Sequence, residues 1–165
     1  MIASLLPLNE AMNNGPLPTR LVFLSDLPTQ ARGTKVRFLG CVARYTVSTG
    51  VLELEHASPL RPHMPTVALV DVNLILETLE REDTQVGAWV NVMGYMEGVL
   101  KDEEREHREG QGKTRLAMER RTTAGEGRIA VRVHVQAIML WSAGGLKIGE
   151  YERTLEERLK LEKGS

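Results

Sequence analysis

A glycine stands in the middle of the first long alternating run of this chain. In residues 35–47 the apolar residues Val36, Phe38 and Val42 share one parity, and Gly40 occupies that parity between them. Period-two alternation marks a strand with one face toward a core. A core-facing residue without Cβ lets such a strand coil sharply, so that its two halves pair with different neighbours. One strand serving two neighbours is how a small sheet closes on itself.

The residues that follow fit a closed sheet. Ser48-Thr49-Gly50 supplies a turn in which glycine takes a positive φ. Residues 51–56 alternate, with Leu52 and Leu54 as the inward pair. The proline-rich stretch 58–65 cannot enter a central strand, and 66–70 is a short β-branched one. Asp71 or Asn73 is placed to cap a helix in which Val72, Ile75, Leu76 and Leu79 recur at helical spacing. Gln85-Val86-Gly87-Ala88 leads into a fourth strand over 89–96. A fifth, over 128–139, has the parity set Ile129, Val131, Val133 and Val135.

This order predicts a five-stranded OB-fold Greek-key barrel, all-β with helices: one helix between strands three and four and an amphipathic helix at the C-terminal end. The expected organisation is a flexible N-terminal arm over 1–18, an OB domain over 19–145 and a C-terminal helix over 146–165. A charged insertion at about 99–127 interrupts the domain. It holds seven acidic and seven basic residues where OB folds place a loop that often contacts ligand, but its composition favours a solvated, mobile insertion.

The chain has 165 residues and 42% hydrophobic content, enough to fill one barrel core. A single cysteine, Cys41, excludes internal disulfides and cysteine-rich zinc sites and reads as a small apolar residue. Residues 1–8 are apolar, but Pro7 interrupts them and no Lys or Arg precedes Arg20, which makes a poor signal peptide. No apolar run reaches bilayer length, so a soluble intracellular protein is expected.

Charge limits the ligand. The net charge is −1, low for a protein that holds DNA alone. Residues 35–98 carry five basic and eight acidic side chains, and Glu53 and Glu55 point outward on the strand that usually helps form the OB ligand face. Arg128, Arg132 and His134 share the outer parity of strand five, as a phosphate track or a solvated face. Tyr45, Trp89 and Tyr95 are the aromatic candidates for base stacking. Tyr45, Tyr95, Arg128, Arg132 and His134 together form the nucleic-acid candidate set.

Enzymatic readings find little support. Gly125-Glu126-Gly127-Arg128-Ile129-Ala130 fits G-x-G-x-x-A, but it opens a strand after a charged loop, which is the wrong context for a dinucleotide. His56, His63, His107 and His134 lack ligand spacing, and two carboxylates on strand two are too few for a metal cluster. No cofactor, no metal and no catalytic role are expected. The alternative to a scaffold is a stand-alone OB module for single-stranded nucleic acid.

Residues 148–163 form a helix with one apolar stripe: Ile148, Tyr151, Leu155 and Leu159, with Leu161 to one side. Glu156 and Lys160 make an i,i+4 pair in the favourable order, and acidic residues open the helix while Lys160 and Lys163 close it. Such a helix is marginal alone. Its stripe must be buried, on this barrel or on a partner.

The stretches 35–45 and 85–95, the fifth strand and the Glu/Arg-rich terminal helix resemble the fungal form of the smallest (Ten-one) subunit of the telomere-capping CST complex. The runs Leu21-Val-Phe-Leu-Ser-Asp-Leu-Pro28 and Val67-Ala-Leu-Val-Asp-Val-Asn-Leu74 strengthen the likeness. The resemblance implies an OB subunit that pairs with the Stn-one subunit through C-terminal helices and barrel edges. It further implies assembly with the large CST subunit on single-stranded telomeric DNA, bound weakly or only within the complex, in the nucleus at chromosome ends. The family's interface arginine falls on Arg37. The helix residues expected at that interface are Ile148, Tyr151, Leu155, Arg158, Leu159 and Leu161.

Overall fold

The computed structural model describes residues 15–61, 65–100 and 130–164. Its strands are β1 (Arg20–Leu21), β2 (Lys35–Thr46), β3 (Val51–Glu55), β4 (Thr66–Asp71), β5 (Trp89–Leu100) and β6 (Val131–Ser142), followed by helix α1 (Ile148–Lys163). The sheet order is β1-β2-β3-β4-β6-β5, and β5 pairs back onto β2. Strands β2–β6 therefore close into a five-stranded barrel, with β4 and β6 parallel and β1 laid parallel along the start of β2.

Closure works through β2 as its glycine predicts. Residues 35–41 pair with β5, and residues 41–46 pair with β3. Gly40 sits at the handover, where a Cβ would lie 2.9 Å from Leu54 Cβ. A second close approach occurs at Gly94, at a register shift between β5 and β6, where a Cβ would run into the Gln136 carbonyl. Gly50 turns the chain from β2 into β3 with a φ of 66°. The inward residues Val36, Phe38, Val42, Leu52, Leu54, Val133 and Val135 are all buried in one cluster, which Leu24 and Leu27 of the segment before β2 join.

Three local expectations change. In place of an α-helix between β4 and β5, the chain makes two short 3-10 turns, at Asn73–Ile75 and Arg81–Thr84. The Asp71 carboxylate accepts from both the backbone N–H and the side-chain amide of Asn73, and Thr78 Oγ1 donates to the Ile75 carbonyl. Local bonds of this kind compete with an α-helical ladder. Val72 and Ile75 are buried, whereas Leu76 is exposed, so a full apolar stripe never forms. Second, Val99 and Leu100, placed in the insertion from sequence, continue β5 opposite Val133 and Arg132. Third, β6 runs on to Ser142, while Arg128 and Ile129, most of the insertion and most of the N-terminal arm lie outside the described residues.

Candidate functional site

Helix α1 forms over the stretch its stripe predicts and rests on the chain's own barrel. Leu155 is only 2% exposed, and Ile148, Tyr151 and Leu159 are half-buried. Leu155, expected at a partner interface, is thus covered within this chain. The nearest apolar surface takes the stripe's centre. Arg158 and Leu161 stay on the surface, Leu161 at 74% exposure. Positions 151, 154, 158 and 161 follow one another at helical spacing along the flank beside the buried stripe.

Arg37 lies against that same flank. Its guanidinium sits over the Trp141 ring, 5.0 Å from the centroid, and it acts on the Tyr151 hydroxyl. Burial pushes the Tyr151 phenol above its ordinary value, and the Arg37 charge pulls it partly back. Among the described residues, Arg37 Nε and Tyr151 Oη are both buried and without a hydrogen-bond partner. Two donors without acceptors in one place are costly in a finished core. In register across the barrel, Arg37 faces Met93 and Met93 faces Met139, which is 53% exposed. Arg37, Tyr151 and this methionine row, with Arg158 and Leu161 further along the same flank of α1, make the candidate surface.

The opposite flank of α1 is fastened by polar contacts to residues distant in the chain. His56 Nε2 donates to Glu152 Oε1 at 2.8 Å, with side-chain exposures of 1% and 8%. The His56 ring stands edge-on to Trp89 at 5.2 Å and tilted to Phe23 at 6.1 Å. Arg61 lies over Phe23 at 4.8 Å and approaches Asp26. Its Nε is 2.9 Å from Glu156 Oε2 without the N–H directed at that oxygen, so the contact is ionic rather than an aligned hydrogen bond. Glu156 also keeps its helical pair with Lys160 at 3.6 Å. The available signal was the pair of glutamates one turn apart beside Leu155, which calls for cations beneath the helix.

The usual OB ligand face is poorly equipped for nucleic acid. Across β3, β4 and β6, Glu55, Val67 and Arg132 form one row and Glu53, Leu69 and His134 the next. Arg132 approaches Glu53 at 3.8 Å, so this cation of the basic strip is paired with a carboxylate of the acidic one. Tyr45 packs against the core cluster at the far end of β2, and Tyr95 is half-buried on β5 between Lys35 and Gln136. Of the nucleic-acid candidates, Arg132 and His134 lie on β6, Tyr95 pairs with Gln136 of that strand from β5, Tyr45 stands apart at the far end of β2, and Arg128 is outside the described residues. Among the described residues no group of three metal-ligating side chains occurs, and no helix is long and apolar enough to cross a membrane. Cys41, beside Glu55, has its thiol pushed up by burial and by that carboxylate.

A family model described as Ten1, a telomere-capping subunit of the CST complex, matches residues 10–156. The chain belongs to the Ten1 family. Its fold is similar to that of the telomere-capping protein Ten1 from S. pombe, at 22% identity and a TM-score of 0.55, over 87% of this chain and 99% of that one. A chain of the S. pombe Stn1–Ten1 complex is similar at 21% identity and a TM-score of 0.55, over 88% and 96%. No curated protein sequence matches significantly. Membership of the Ten1 family makes this chain an OB-fold subunit of the telomere-capping CST type, with the barrel and terminal helix the resemblance implied.

Proposed function

We propose that this chain is a non-catalytic scaffold that binds a Stn1 subunit through the outer flank of α1 and the adjoining barrel surface. Arg37, Tyr151, Arg158 and Leu161 carry the contact, with Ile148 and Leu159 at its margin. Leu155 holds the helix in place beneath it. One observation carries this reading: Arg37, a half-buried cation over Trp141 and beside Tyr151 of α1, lies on the strand row that runs through Met93 to the exposed Met139. A partner carboxylate would pair with the half-buried Arg37 guanidinium, and a charge-assisted pair fixes orientation as well as adding affinity. The existence of an S. pombe Stn1–Ten1 complex supports the choice of partner.

The heterodimer would join the large CST subunit on single-stranded telomeric DNA in the nucleus and protect the chromosome end. DNA would be held jointly, because Arg132 on this barrel's own ligand face is paired with Glu53, Tyr45 packs on the core and Tyr95 is half-buried. Co-expression with Stn1 tests the reading. Arg158→Glu together with Leu161→Glu should abolish co-purification while leaving the barrel folded. Undiminished recovery of the partner would refute it.

A further inference from the structure

We propose that His56 and Arg61 are positioning residues for the partner interface, setting the rotation of α1 without touching the partner. This rests on the Stn1-binding reading above. Leu155 is the one apolar side chain of α1 that is fully covered, and apolar burial is non-directional, so it alone would let the helix roll. Glu152 and Glu156, one turn apart, remove that freedom. Each is held by a group that cannot follow a rolling helix. His56 is fixed between Phe23 and Trp89, and Arg61 is fixed on Phe23 and near Asp26.

Two anchors on one flank determine which residues appear on the other. With Glu152 on His56 and Glu156 on Arg61, Tyr151 comes to the Arg37 side, and Arg158 and Leu161 face outward. The side chains of His56 and Arg61 are 1% and 12% exposed, so their effect on a partner must pass through α1. The partner therefore meets a preformed surface. If the anchors are lost and the helix is correctly seated about one-tenth of the time, the apparent Kd rises about tenfold, since only the competent fraction binds.

The test titrates the full-length chain with the Stn1 subunit and follows hydrogen exchange along α1. Glu152→Ala should weaken binding roughly tenfold and speed exchange in α1, while β2–β6 keep their protection. Glu152→Gln, whose carbonyl oxygen still accepts from His56, should bind within about threefold of the unmodified chain. Arg61→Lys keeps the cation but loses the planar group over Phe23; it covers the case in which the alanine variant fails to fold, and should weaken binding by about threefold or more. Unchanged affinity in Glu152→Ala or Arg61→Lys, or a glutamine variant as weak as alanine, would overturn the proposal. Failure of the unmodified chain to bind Stn1 is a separate outcome, which sinks the Stn1 reading and the positioning role with it.

Discussion

Replacing Arg37 by methionine separates a residue kept for a partner from one kept for the fold. In the free chain the guanidinium has one buried Nε without an acceptor and lies over Trp141 at 5.0 Å. Leaving that donor unpaired costs about 1–3 kcal/mol, and the cation–π contact returns about 0.5–2 kcal/mol. The two nearly cancel. Methionine keeps much of the apolar stem and its contact with the ring. Arg37→Met should therefore change the stability of the free chain by no more than about 1 kcal/mol, or about 2–4 °C in melting temperature for a protein this size. In the proposed complex the guanidinium would pair with a partner carboxylate, and removing one member of such a pair costs about 2–5 kcal/mol, a loss of at least about thirtyfold in affinity. A thermal melt of the free chain and a titration with Stn1, on the same sample, measure both quantities. A melting temperature lowered by about 10 °C with affinity intact would refute the argument, making Arg37 a pin for Trp141 and Tyr151.

Leu155→Ala should cost about 2–4 kcal/mol, felt mainly in the docking of α1, because the side chain is buried between helix and barrel. Hydrogen exchange should show α1 opening before β2–β6; equal protection throughout would contradict this. The Tyr151 phenol has its folded-state pKa raised, so its contribution to stability is intact below the ordinary phenol value and is lost as pH rises through the raised one. Stability should thus decline in alkaline solution, and Tyr151→Phe should flatten that decline; an unaltered slope in the variant would remove the assigned cause. The isolated chain should bind single-stranded DNA weakly, with a shallow dependence on salt, because Arg132 is paired with Glu53. Nanomolar binding at physiological salt would contradict that account.

The barrel was legible because its rules are local. Gly40 between inward-facing apolar residues, Gly50 at a turn and the alternation of Leu52 and Leu54 each carry their meaning within a few residues. The stretch after β4 misled for the same reason: Val72, Ile75, Leu76 and Leu79 have helical spacing, but Asp71, Asn73 and Thr78 take the backbone into other bonds. Helix α1 was legible as a helix, yet its orientation was not. Spacing gave Leu155 as a stripe residue without saying that its own barrel would cover it. The anchors His56 and Arg61 lie 96 and 95 positions from Glu152 and Glu156, a separation no pattern spans. Trp141 beneath Arg37 was invisible too, since only the β2–β5–β6 register brings the two together.

Site-specific photo-crosslinking bears most directly on the partner surface. A photoreactive side chain at position 161, on the outer flank of α1, should form a covalent adduct with Stn1 in the assembled complex. The same group at position 53, on the β3–β4 face, should form none. Adducts from position 53 alone would place the partner on the barrel's ligand face and contradict the role of α1 as the docking helix.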